Sequence, residues 1–379
     1  MRKSLILSFI LAINFGTYAQ NNGFYRIKNA KRGSYLVMVD NKSEGLNGGA
    51  SLNVDLDAIR LAGDANDDSS LGIKLINELF NHPGSVIQLS HIEGDKFGVK
   101  AQGTSLDDMM AKVAPGTYPS IIAQSDGSYT IGGNYNGIPI YLDAKTTRLA
   151  TALGGTTSNS FWLLLPINFT DNYIGIKPEI RTDDGNYWGT FYASFSYKLH
   201  SVGMEAYYVN AMNDESCTLK QLADGIVPAG MPVLIKCVSG NPSDNMIEPL
   251  TTSGSIPDGN KLSGVYFDNT TSNHFNSVTY NETTMRVLGT HNGGLAFVKP
   301  SADYLTEEKY LPHNKCHLVV SASAGNILPV SEVLAIHNTE TEEQPKQKGT
   351  YTLTGLKISD EITPKPGIYI RNGQKIVIK

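Results

Sequence analysis

Cysteine is scarce in this 379-residue chain: Cys217, Cys237 and Cys316 are all it has, and all lie in its second half. Three thiols cannot staple a fold of this length, so packing must hold it, although one pair could bridge in an oxidising compartment. Charged side chains reach only 18%, against 40% hydrophobic, which excludes an intrinsically disordered chain. The 31 basic and 36 acidic residues leave a formal charge of −5. That balance lacks the cationic excess of a nucleic-acid binder. Beyond Gln20 no apolar run approaches the length of a membrane-spanning helix, so no transmembrane segment is expected. Also missing are His-Glu-x-x-His, Gly-x-Ser-x-Gly and a phosphate-cradling glycine loop followed by Lys-Ser/Thr. The carboxylate pairs Asp183-Asp184 and Glu307-Glu308 are sequence neighbours, which a strand sends to opposite faces. No catalytic residue, metal or cofactor is therefore expected.

What the chain does have is tyrosine, 19 residues, and glycine, 37 residues. That usage, with few long helical periods, predicts a mainly β protein. The length predicts two or three domains.

Arg2 and Lys3 form a basic start, an apolar run from Leu5 to Phe15 follows, and Thr17-Tyr18-Ala19 precedes Gln20. This is the layout of a secretory signal peptide over residues 1–19, cleaved after Ala19. The expected product is secreted or displayed at the cell surface.

A weak threefold repeat then covers residues 20–168. Gly23-Phe24-Tyr25-Arg26-Ile27 leads to Tyr35-Leu36, Gly84-Ser85-Val86-Ile87 to Phe97, and Gly127-Ser128-Tyr129-Thr130-Ile131 to Tyr141-Leu142. Each unit reads as two alternating strands around a polar turn, at Asn29 to Gly33, Ile92 to Asp95 and Gly132 to Gly137. A lone hairpin cannot bury its apolar face, so the three are expected to share one core. Two helical insertions are expected. One lies behind Asp68-Ser69-Ser70, with Leu71, Leu75, Ile76, Leu79 and Phe80 on one face. The other opens at Thr104-Ser105, with Leu106, Met109, Met110 and Val113. The segment, closing on Phe161-Trp162-Leu163-Leu164-Leu165-Pro166, resembles β-trefoil domains of the ricin-B lectin-like kind. The resemblance implies the fold; the Gln-x-Trp motif of the lectin repeats is absent.

From Tyr173 the pattern changes. Asp183-Asp184-Gly185-Asn186 is a dense turn before Tyr187-Trp188-Gly189-Thr190-Phe191-Tyr192. Strands are expected at Glu205 to Asn210, Met231 to Cys237, Leu262 to Phe267, Thr284 to Leu288, Gly294 to Lys299 and Cys316 to Val320. This spacing predicts a β-sandwich-like module over 170–330. Residues 331–349 are polar and read as a linker. Residues 350–379 end in two alternating strands around Asn372-Gly373, a strong hairpin signal because both turn positions need positive φ. The stretch Ile226 to Ile235 is similar to an element of exported Bacteroidetes surface proteins. The ending, with Tyr351-Thr352-Leu353-Thr354-Gly355 and Gly367-Ile368-Tyr369, resembles the C-terminal sorting domain of the Bacteroidetes outer-membrane secretion route. That resemblance implies the secretion machinery as a partner.

Three groups invite closer inspection. His313-Asn314-Lys315-Cys316-His317 offers imidazoles and a thiolate, but no second ligand cluster accompanies it. Asp64, Asn66 and Asp68 start like a calcium loop, yet Ser69 and Leu75 stand where glycine and glutamate are required. Tyr25, Tyr35, Tyr129 and Tyr141 are expected in the core, whereas Tyr118, Tyr135 and Trp188, near turns, are the expected surface aromatics for ligand binding. The combined expectation is a non-enzymatic exported binding or adhesion protein recognising a glycan or an extracellular protein. The alternative is a secreted hydrolase of polysaccharide or peptide with its site in the second module.

Overall fold

Strand β1 (Gly23–Asn29) turns Tyr25 and Ile27 to one side and Phe24 and Arg26 to the other, and both sides are buried. Successive strand residues face opposite ways, so β1 serves two cores at once. The computed structural model describes residues 21–39, 59–102, 104–105, 118–147, 149–268, 277–334, 350–352, 357–358, 366–371 and 374–378. The protein is mainly β, and its contacts divide it into two units, Met1–Leu334 and Ala335–Lys379.

The first unit begins with β1, β2 (Tyr35–Met38), β3 (Ile59–Ala62), β4 (Ile87–Glu93), β5 (Lys96–Ala101) and β6 (Thr104–Ser105). Next come β7 (Ser120–Ala123), β8 (Tyr129–Tyr135), β9 (Ile138–Ala144), β10 (Leu149–Leu153) and β11 (Phe161–Pro166). β1 pairs with β4, β4 with β5, β5 with β7, β7 with β8, β8 with β11, and β11 returns to β1. These six strands close a ring. The remaining strands hang from every second ring member: β2 and β3 from β1, β6 from β5, β9 and β10 from β8. Tyr25, Ile27, Leu61, Leu89, Val99, Ile131, Leu142 and Trp162 share the interior. The Trp162 indole donates to the Leu142 carbonyl at 3.2 Å. The third hairpin runs further than its sequence predicts. β8 continues through Gly132 to Tyr135, and the chain reverses at Asn136 and Gly137, which hold φ of 51° and 84°. Asn-Gly supplies that turn because both residues tolerate the left-handed region.

Helix α1 (Ser70–Asn77) is inserted after β3. The Ser69 side chain caps it, accepting from the Gly72 amide at 3.1 Å, and Leu75 is buried beneath it. Of the second expected helix, Thr104–Ser105 is strand β6 instead, paired with β5, and the rest lies outside the described residues.

The chain then builds β12 (Ile174–Gly175), β13 (Ile180–Arg181), β14 (Tyr187–Phe191), β15 (Ser196–Leu199), β16 (Glu205–Met212), β17 (Cys217–Gln221) and β18 (Ile226–Val227). After these come β19 (Val233–Cys237), β20 (Met246–Leu250), β21 (Leu262–Val265), β22 (Met285–His291), β23 (Gly294–Val298), β24 (Lys315–Val319) and β25 (Ile327–Leu334). A small sheet has the order β12-β20-β15-β18, and a large one the order β13-β14-β19-β16-β17-β25-β23-β22-β24-β21. In β19, Val233, Ile235 and Cys237 pack with Tyr197, Val227 and Ile247 of the small sheet. Leu234 points the other way, to Leu219, Leu288, Phe297 and Leu318. The large sheet thus curls until its two halves face each other. From Val233 to Ile235 β19 is buried on both faces, which is why those three residues are all apolar; Lys236 follows only where the burial is partial. Phe24 of β1 joins the core of the small sheet, fastening the ring to this module.

β25 runs through Ser331 to Leu334, pairing in parallel with β17, so the first residues of the expected linker are strand. The parallel ladder simply continues there: Val333 lies opposite Leu219 and Leu334 opposite Lys220. Gly175 tests the packing. A Cβ there would stand 2.0 Å from the Pro242 carbonyl oxygen, which is backbone and cannot swing aside. Gly175→Ala is expected to lose about 2–3 kcal/mol in urea unfolding, the cost of overpacking.

The second unit contains β26 (Thr350–Thr352), β27 (Lys357–Ile358), β28 (Gly367–Arg371) and β29 (Gln374–Ile378), in the order β27-β26-β28-β29. Arg371 is opposite Gln374, so the connection between β28 and β29 has two residues, Asn372 and Gly373. The expected signal peptide lies outside the described residues.

Candidate binding cleft

The end of α1, the stretch before β13 and the loop before β24 meet around a cleft of about 480 Å³. His313, in the loop before β24, organises one wall. Its Nδ1 lies 2.8 Å from Asp268 Oδ1 and its Nε2 lies 3.0 Å from Glu78 Oε2, the residue that ends α1. Both ring nitrogens face carboxylates, so both donate and the ring carries a proton. Burial alone would push the His313 pKa down, but the two carboxylates outweigh it and hold the pKa above the ordinary histidine value. Asp268 responds in the opposite sense. Burial favours its neutral form, yet His313, Lys74 and the Thr306 hydroxyl overcome that and drive its pKa far down. Lys74 Nζ stands 3.2 Å from Asp268 Oδ2. Glu78 is likewise lowered, burial being outweighed chiefly by the hydrogen bond from His313.

His82 lies buried behind this wall. Its ring stacks on His313 with centroids 4.6 Å apart, and its Nδ1 accepts from the Gly84 amide at 3.0 Å. Burial, and then the charge on His313, push the His82 pKa well below the ordinary value. A neutral imidazole therefore lies against a charged one.

Glu179 organises the facing wall. Its Oε1 accepts from the Thr190 amide at 2.5 Å and the Thr190 hydroxyl at 2.6 Å, with Lys315 Nζ 3.4 Å away. Its Oε2 accepts from the Tyr304 hydroxyl at 3.1 Å. Among the described lining residues, Lys177 and Asp303 alone carry side-chain charge without an internal partner. Across the cleft and the cluster behind it, Lys74, Lys177, Lys315 and His313 balance Glu78, Glu179, Asp268 and Asp303.

The sequence pointed elsewhere. Trp188 is not a surface aromatic: it is 7% exposed and tilts against Tyr207 at 5.5 Å. The turn at Asp183 to Asn186 leads directly into β14, an interior strand of the large sheet, so the second residue beyond the turn is already in the core. Tyr118 is 41% exposed but does not line the cleft. The side chain of Tyr135 lies outside the described residues. In the 313–317 motif, alternation along β24 separates the polar groups. Cys316 points into the core, its thiol 3.4 Å from the Phe191 carbonyl, while His317 is buried with its pKa pushed down to about 4 by that burial. All three cysteines are buried and unpaired. Asp64 is engaged by Arg32 at 2.6 Å and by the Asn66 amide. Among the described residues no three His, Cys, Asp or Glu groups converge on a possible metal position. No helix among them is long and apolar enough to cross a membrane.

Lys74, Glu78, Lys177, Glu179 and Asp268 carry no local sequence signal, because segments far apart in the chain bring them together.

No protein-family model matches the chain, and no curated protein matches it. One solved structure it is similar to is described as "Structure and mode of action of a mosquitocidal holotoxin", at 13% identity and a TM-score of 0.26. The match covers 76% of this chain and 40% of the toxin chain. A likeness of that degree carries no inference about fold or function.

Proposed function

We propose that the chain is an exported, non-catalytic binding protein of the cell surface or extracellular medium, and that the cleft beside His313 takes a glycan. The observation that carries this reading is that the cleft is open while two of its three carboxylates, Glu78 and Glu179, are already occupied by internal donors and the third, Asp303, faces solvent with Lys177 as the other unpartnered charge. Glu78 accepts from His313, and Glu179 from Thr190, Tyr304 and Lys315. A polysaccharide hydrolase needs one carboxyl group with a raised pKa as proton donor. Every described carboxyl group with a shifted pKa is shifted down. A balanced lining with hydroxyl, amide and solvent-facing charged groups suits an uncharged polyhydroxylated ligand better than a strongly charged one.

The closed ring with an outgrowth on every second strand supports reading the first body as a β-trefoil. Export is supported by the basic start and apolar run of residues 1–19. The sheet of β26 to β29 supports a role for the tail with the outer-membrane secretion machinery.

The test is a glycan array with the full chain, repeated with Asn81→Trp, which fills the cleft from its rim. Saturable binding to a glycan, weakened at least about tenfold in the variant, is the expected outcome. Silence across the array, or equal binding by both proteins, overturns the reading. Capture of a protein partner that survives Asn81→Trp would place the binding surface elsewhere.

A further inference from the structure

A second cavity, of about 320 Å³, opens where the outward face of the ring meets the segment before β15. Its ring side is one cross-strand row: Phe24 on β1 lies opposite Gln88 on β4, and Gln88 lies opposite Lys100 on β5. Residues directly opposed across antiparallel strands share a face, so the three line the same wall. Phe195 adjoins that wall, its ring in tilted contact with that of Phe24, the centroids 5.6 Å apart. The cavity is thus apolar at Phe24, Val86 and Phe195, and polar at Gln88, Lys100 and Ser194.

Two further observations separate it from a packing gap. The Phe195 wall is pinned from behind by the buried Gln102. Its Oε1 accepts from the Ser194 amide at 3.0 Å, and its Nε2 donates to the Tyr192 carbonyl at 3.1 Å and to Asn314 Oδ1 at 2.8 Å. This set fixes the Ser194–Phe195 side of the cavity in place. Moreover, among the described residues the half-buried Gln88 amide and the exposed Lys100 ammonium beside it have no hydrogen-bond or ion-pair partner, so both are free to turn to a ligand in the cavity.

We propose that this cavity is a binding site for a small organic acid with a compact apolar body. The body lies in the cavity against the touching rings of Phe24 and Phe195, and its carboxylate accepts from Lys100 and from the Gln88 amide. A preformed apolar pocket with a few convergent polar groups is the usual form of a small-ligand site. The charge-assisted contact sets the orientation.

The test titrates the full chain with 4-phenylbutyrate and with its neutral counterpart 4-phenylbutan-1-ol, followed by amide shifts in NMR. Both should bind saturably, the acid at least about tenfold tighter. Lys100→Met, which keeps the apolar stem, should bring the acid down to the alcohol and leave the alcohol unchanged. Ser194→Phe, which fills the cavity, should abolish both. No saturable binding at 5 mM acid (about the weakest affinity worth calling a site), or equal binding of acid and alcohol by the wild type, overturns the proposal. So does acid binding that Lys100→Met leaves intact. The glycan reading uses a different cavity and is untouched by any of these results.

Discussion

His313→Leu is expected to lower the stability of the first unit by about 3 kcal/mol or more in urea unfolding, because it strands two carboxylates that the imidazolium now joins. Leucine fills the ring's volume, so the loss reports charge and hydrogen bonds rather than a cavity. The double variant His313→Leu with Asp268→Asn should be more stable than His313→Leu alone. Removing the better buried carboxylate removes most of the unpaired charge, and Lys74, partly exposed, can turn to water. If the double variant is the weaker of the two, the charge argument is wrong and His313 acts through shape.

The same cluster fixes the pH dependence. The folded pKa of His313 is raised, so its contribution is complete below the unfolded value of about 6.5 and is lost as pH rises through the folded value. His82 and His317 are lowered, so their neutral rings favour folding above about 6.5, and that advantage is lost as pH falls. Each group contributes a slope of up to about 1.4 kcal/mol per pH unit. Asp268 and Glu78 are lowered too, and their contributions fade only below about pH 4. Stability should therefore peak near neutral pH, with an alkaline decline due to His313 and an acid decline due to His82 and His317. His313→Leu should erase the decline that begins at about pH 6.5 and keep the acid one. Only the later decline should then remain, expected above about pH 9, where the buried thiols, whose pKa values burial raises, ionise on unfolding. A variant whose alkaline limb matches the wild type would refute the assignment.

Much of the fold was legible because it rests on local rules. Alternation in Tyr25 to Ile27, the Ser69 cap and the two-residue connection at Asn372-Gly373 depend on neighbours a few residues away. The two-faced strands were harder. Trp188 sits just past a turn in sequence, yet its strand lies between others in a sheet that curls back on itself, a property no short window contains. The cleft was illegible for a related reason. Glu78 and His313 meet only because α1 extends from the ring to the loop before β24. The 313–317 motif drew attention to the right residue but not to its partners: His313 is used up by Asp268 and Glu78, two carboxylates far away in sequence.

Arg26 shows how the two bodies of the first unit depend on one side chain, and its replacement is the second large effect expected. It is fully buried on the outward face of β1. Its three nitrogens diverge: Nε donates to Ser85 Oγ at 3.1 Å, Nη1 to Asn172 Oδ1 at 2.8 Å and Nη2 to the Leu79 carbonyl at 3.0 Å. The guanidinium also lies over the Phe80 ring, 4.8 Å from its centroid. Burial lowers its pKa to about 10, which leaves it charged at neutral pH. Asn172 in turn donates to the Leu165 and Pro166 carbonyls, at the exit from the ring. Arg26→Met should cost about 3 kcal/mol or more, since it leaves buried acceptors short of donors at about 1–3 kcal/mol each. Arg26→Lys should lose nearly as much, because one ammonium on a flexible stem cannot serve three acceptors in a planar fork. The segment from Leu79 to Ser85 that Arg26 holds also carries His82. Amide exchange at Gly84, whose N–H donates to His82, should therefore quicken in both variants relative to the ring strands. Equal protection in Arg26→Lys and the wild type would mean that charge alone, without the fork, holds the joint.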